Sequence, residues 1–214
     1  LSTAELSIFE ACKEINQFAT RCRRMFSLVK ELLETENGDD FNKLFSRIEK
    51  YENITDSMEV EIANYLHKVS EGRLSSESKT QIQRMMRQIS ELESIGDSCY
   101  NLGRTMNRLR LHSKEKFTEE QQKHMHTMIS LVNHALDAMV NVVEKAPDHQ
   151  YADYNISYNI EHEINNYRNQ LKNQNLLDIN DGLYGYQIGV YYMDFISECE
   201  KLGDYVMNVV QATK

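Results

Sequence analysis

The chain spells one of its helices twice. Residues 90–102 read Ser-Glu-Leu-Glu-Ser-Ile-Gly-Asp-Ser-Cys-Tyr-Asn-Leu, and residues 197–209 read Ser-Glu-Cys-Glu-Lys-Leu-Gly-Asp-Tyr-Val-Met-Asn-Val. Six positions are identical at an offset of 107, half of the 214 residues. A second match joins Glu59-Val-Glu-Ile-Ala-Asn-Tyr65 to Glu161-His-Glu-Ile-Asn-Asn-Tyr167, at an offset of 102. The difference falls in the loop before the last helix, where insertions are tolerated. Two segments that match in the same order point to an internal duplication, and hence to a fold built from two like units.

Each unit is helical. Proline occurs once and glycine eight times, far below their usual combined share of roughly 12%. Sheets and loop-rich folds need these residues at their turns, so the chain is made of long helices with few connections. The spacing predicts a first helix capped by Thr3 and running to about Glu36, and a second from about Asp40 to Ser70. A third is capped by Ser75 or Ser76 and reaches about Leu111. Thr118-Glu-Glu-Gln121 has the form of a capping box and opens a fourth. Pro147 and Asp148 begin a fifth, Asp178–Gly182 ends it, and a sixth runs to about Ala212. Long helices on short loops pack antiparallel. The expected fold is all-α, an elongated antiparallel bundle of two tandem three-helix repeats, residues 1–112 and 113–214.

The net charge of −9 makes nucleic acid a poor partner, and favours cations and basic protein surfaces. No apolar run approaches the ~20 residues that span a bilayer, and no secretory signal precedes the first helix. A cytoplasmic segment without membrane insertion of its own is expected, and the absence of a start methionine suggests one excised from a longer polypeptide. Cys12, Cys22, Cys99 and Cys199 form no Cys-x-x-Cys pair and read as reduced core thiols.

The repeated segment carries the chemistry. Glu93, Asp97 and Asn101 share one face of a helix, as do Glu200, Asp204 and Asn208. Stacked carboxylates repel one another, and Gly96 and Gly203 between them each cost about 1 kcal/mol in a helix interior. Both penalties at the same point of two helices imply a local demand. Carboxylates aligned on one face can chelate a cation, and glycine lets a neighbouring helix or bridging group come close. Glu52-x-x-x-Asp56 on the second helix supplies a third pair, although such a pair alone is common on solvated helices. Glu91 and Glu198 lie off the face and are expected in solvent. At the 102 offset Glu52 and Asp56 correspond to Tyr154 and Tyr158, so the two halves should differ as sites. Glu161 and Glu163 remain nearby.

No catalytic residue stands out. His124 and His126, two apart on a helix, cannot grip a metal together. Tyr184, Tyr186, Tyr191 and Tyr192 are explained by packing as well as by a ligand. No phosphate-cradling loop, nucleophile elbow or His-Glu-x-x-His is present. An organic cofactor is not expected, and neither is an enzyme.

Glu93-Ser-Ile-Gly-Asp97 and Glu200-Lys-Leu-Gly-Asp204 resemble the Glu/Asp-x-x-x-Asp signatures of the PhoU family, with two halves of three helices and the motif on the third. That resemblance implies a non-enzymatic role in regulating phosphate uptake. It also implies divalent or iron/zinc metal ions at the acidic motifs, a phosphate transporter membrane domain as partner in cis or trans, and a homodimer among the expected assemblies. Leu1–Ile15 and Tyr51–Ile62 are similar to the cytoplasmic C-terminal PhoU-like domain of bacterial sodium/phosphate cotransporter-like proteins. That points to part of an inner-membrane protein; the alternatives are a free-standing PhoU-type regulator and a metal-free helical scaffold.

Overall fold

Among the described residues, side chains cap five of the six helices, so the chain's few polar breaks become sharp helix starts. The computed structural model describes residues 2–146 and 153–214. Its elements are α1 (Thr3–Glu34), α2 (Gly38–Ser70), α3 (Ser76–His112), α4 (Glu119–Lys145), α5 (Tyr154–Asn180) and α6 (Tyr186–Gln211), with no strand among the described residues. Ser2, rather than Thr3, caps α1: its hydroxyl accepts from the Glu5 amide, and the Glu5 carboxylate accepts from the Ser2 amide at 2.7 Å. Thr118 and Gln121 form the expected box on α4. Asn37, Ser75 and Asp153 cap α2, α3 and α5. After α5, Gly182 takes φ +74°, which lets the Leu183 amide reach back to the Asp178 carbonyl. The expected helix start at Pro147–Asp148 lies outside the described residues.

Two kinds of helix result from two kinds of apolar pattern. α1, α3, α4 and α6 bury broad faces, such as Ile8, Ala11, Ile15, Phe18, Cys22 and Met25 on α1. α2 buries only a narrow stripe, Phe41, Ile48, Thr55, Ile62 and Leu66, and α5 an equally narrow one. Broad faces belong inside and narrow ones outside. Accordingly α1, α3, α4 and α6 form the centre, α2 lies against α1 and α3, and α5 lies against α4 and α6.

The halves meet along α3·α6 and α1·α4. On α3·α6, Asn101 Nδ2 donates to Glu198 Oε1 and Asn208 Nδ2 donates to Glu91 Oε2, each at 3.1 Å. The two bonds exchange at the 107 offset. Glu91 and Glu198 are therefore half-buried acceptors across this seam and not solvent-facing, and Asn101 and Asn208 serve the seam rather than the acidic face. Arg23–Asp137 at 3.5 Å bridges α1 and α4. Cys22, Cys99 and Cys199 are free and fully buried, Cys12 is free and half-buried, and burial raises the pKa of all four thiols. No helix among the described residues is long and apolar enough to cross a membrane.

Candidate metal site between α2 and α3

Thr55 and Gly96 set the distance between the outer helix and the motif. Thr55 is completely buried on α2, its hydroxyl donating to the Glu52 carbonyl at 2.9 Å. A Cβ placed on Gly96 would lie 2.7 Å from Thr55 Oγ1 and 3.3 Å from its Cβ. Only glycine lets α2 come this close. The close approach brings the residues on either side of Thr55, Glu52 and Asp56, against the motif on α3.

The result is a cluster of acids. Glu52, Asp56 and Asp97 each place a carboxylate oxygen within 4.8 Å of the others. Glu93 stands in hydrogen-bonding reach of Asp97 and Asp56, and Glu59 borders the group. Among the described residues no base forms an ion pair with any of the five. Burial pushes the Glu93 carboxyl up, and its hydrogen bonds to Asp97 and Asp56 take it to about 9. Asp97 is raised by burial and by the Asp56 and Glu198 charges, against the lowering effect of its bond to Glu93. Glu52 and Glu59 are raised by burial and then by Asp56 and Asp97. Asp56 Oδ1 is shielded from solvent and has no hydrogen-bond partner. An array of hard oxygens that can ionise fully only beside positive charge suits a cation. On these grounds the first half fits a metal.

The same frame on α6 is filled differently. Glu200 Oε2 lies 3.0 Å from Arg168 Nε. Asp204 hydrogen-bonds Glu161, and burial raises the pKa of both. Tyr154 and Tyr158 occupy the positions of Glu52 and Asp56; Tyr154 shares a 3.0 Å hydrogen bond with Thr213, and Tyr158 accepts one from Lys214. Glu163, the other nearby acid, is exposed. Of the six residues singled out in the sequence, Glu52, Asp56, Glu93 and Asp97 come together, whereas Glu200 and Asp204 join no comparable cluster among the described residues. Glu200 and Asp204 thus face one base and one acid, Arg168 and Glu161, rather than a group of acids.

Two participants were not anticipated. Glu59 lies on the face of Glu52 and Asp56, at i, i+4 and i+7, and the repeated Glu59–Tyr65 segment could have flagged it. Arg168 stands where α2 has Leu66, a substitution whose consequence depends on a contact with another helix. His124 is occupied by Tyr192 at 3.1 Å and by Glu120 at 3.3 Å.

Among the described residues, fold and site together define a bundle of six helices with a cluster of acids between an outer and an inner helix. Residues 15–106, from α1 into the last turns of α3, match the PhoU domain family. The crystal structure of the phosphate transport system regulatory protein PhoU from Streptococcus pneumoniae is similar over 99% of this chain and 95% of that one, at 17% identity and a TM-score of 0.80. PhoU from Pseudomonas aeruginosa is similar over 97% of this chain and 95% of that one, at 11% identity and a TM-score of 0.81. No curated protein matches in sequence. The chain thus has the PhoU fold, with a PhoU domain match across its first half.

Proposed function

We propose that the chain is a non-enzymatic regulator of phosphate uptake of the PhoU type, acting by contact with a phosphate transporter in the cytoplasm. The observation that supports it most is that the PhoU domain match covers the half that carries the complete acidic cluster. The likeness over 99% of this chain to the Streptococcus pneumoniae regulator supports a PhoU-type role in either a free-standing or a domain form. The repeated packing scheme and the exchanged bonds Asn101–Glu198 and Asn208–Glu91 support reading residues 1–112 and 113–214 as duplicated units.

Glu52, Asp56, Glu93 and Asp97 would hold the cation, a divalent ion or iron or zinc, with Glu59 at the edge of the site. When bound, the ion would neutralise the facing carboxylates and tie α2 to α3. The residues themselves hold the α2–α3 face in register, keep a proton on Glu93 when no cation is present, and leave Asp56 Oδ1 free to be a ligand. A metal-free scaffold would need none of this acidity.

A cytoplasmic domain of a sodium/phosphate cotransporter is the second reading, favoured by the likeness of Leu1–Ile15 and Tyr51–Ile62 to that group. Deleting the coding region in its host tests the common claim: phosphate uptake should stop responding to external phosphate. Unchanged uptake and response would sink it. Crosslinking then separates the forms, since a free-standing regulator is captured on a transporter encoded separately.

A further inference from the structure

The two motifs sit in different electrostatic surroundings, and one arginine makes most of the difference. At the 102 offset that aligns α5 with α2, Arg168 replaces Leu66, which is fully buried in the core. Its Nε lies 3.0 Å from Glu200 Oε2, with the two side chains only 28% and 26% exposed. Its Nη1 also donates to Asn169 Oδ1 at 2.9 Å. Meanwhile the facing positions that give carboxylates on α2 give phenols on α5, and Lys214 Nζ lies 4.8 and 4.7 Å from the ring centroids of Tyr154 and Tyr158. The second half therefore has fewer acids and positive charge of its own.

We propose that Arg168 is a resident counter-ion for the second motif, so that the chain takes up cations through its first half alone. The part about uptake rests on the cation reading of Glu52, Asp56, Glu93 and Asp97 and deepens it; the role of Arg168 stands by itself. A half-buried carboxylate needs a positive partner. A guanidinium on the same chain meets that need at all cation concentrations and cannot be removed by a chelator. A metal ion arriving at Glu200 would have to displace Arg168 and leave its charge half-buried beside another cation. It would also find neither Glu52 nor Asp56 in equivalent positions. One half of the molecule thus responds to cation supply, and the other holds its shape regardless.

The test is a double-mutant cycle of Arg168→Met and Glu200→Gln, read by thermal unfolding in chelator, together with the Mn²⁺ content of Glu200→Gln/Asp204→Asn after loading and desalting. Arg168→Met should lower the melting midpoint by several degrees, the double variant should recover most of that loss, and Arg168→Lys should keep most of the wild-type midpoint. Glu200→Gln/Asp204→Asn should retain the wild-type Mn²⁺ content. No recovery in the cycle overturns the counter-ion role, and loss of about half the bound Mn²⁺ overturns the restriction to one half. If wild type itself binds no Mn²⁺, the cation reading of the first half fails, and the cycle still decides Arg168.

Discussion

On α3, Glu93 and Asp97 face Glu52, Asp56 and Glu59; on α6, Glu200 and Asp204 face Arg168 and Glu161. The motifs are spelled almost alike, with glycine, carboxylates and asparagine in the same places. What separates them is the outer helix. Among the described residues no base of α2 pairs with the acids of its site; α5 offers tyrosines and an arginine, so its side carries a positive partner of its own. A binding motif on one helix is only half of a site, and the facing helix decides whether the other half exists.

Substitutions at equivalent positions can break this comparison. The largest contrast is expected between Leu66→Ala and Arg168→Ala. Leu66 is completely buried, and its truncation should cost about 2–5 kcal/mol. Arg168 is in a partly exposed pair, and its truncation should cost about 1 kcal/mol. Urea unfolding of the two variants measures both, and equal costs would mean that the outer helices are held in the same way.

Glycine gives the next contrast. Gly96→Ala pushes a methyl into Thr55, at an overpacking cost of about 1–3 kcal/mol that exceeds the ~1 kcal/mol gained in helix propensity. At Gly203 the nearest obstacle is the end of the Ile164 side chain, Cδ1 at 3.3 Å, which can turn aside. Gly203→Ala should leave the unfolding midpoint unchanged or raised, and a loss as large as that of Gly96→Ala would contradict the close approach of α2.

The unpaired acids of the first half also predict a pH dependence. In the folded protein Glu93 holds its proton up to about 9, whereas the unfolded chain releases it in the ordinary carboxyl range. The folded state then binds more protons across that interval, so this contribution is complete at low pH and is lost as pH rises towards 9. Chelator-treated protein should therefore melt at lower temperature as pH increases from 5 to 9, and Glu93→Gln should flatten the trend. A trend that stays as steep in the variant would place its origin elsewhere.

The smallest effects are expected at the seam, where the halves behave alike. Asn101→Ala and Asn208→Ala each remove one hydrogen bond to a half-buried glutamate and should each cost about 1 kcal/mol. Unequal costs by urea unfolding would show that the two-fold arrangement of α3 and α6 is only approximate in energy.

Much of this was written locally in the chain. Helix boundaries follow from caps such as Asn37, Ser75 and Thr118, which act within three residues of themselves, and α2 shows its outer position by its narrow apolar stripe. The acids of the first-half cluster were legible for the same reason: Glu52 with Asp56, and Glu93 with Asp97, share faces by spacing alone. What spacing does not encode is which residue of one helix meets which residue of another. Glu91 and Glu198 belong to the seam because α3 and α6 run antiparallel in one particular register. Arg168 reaches Glu200 for a similar reason, since it departs from Leu66 on α5 and acts on a residue of α6.

The central claim, that only the first half binds a cation, is tested most directly by elemental analysis of protein purified without chelator. Wild type should carry metal, Glu93→Ala/Asp97→Ala should carry none, and Glu200→Ala/Asp204→Ala should carry the wild-type amount. Metal-free wild type, or metal that survives Glu93→Ala/Asp97→Ala, would contradict it.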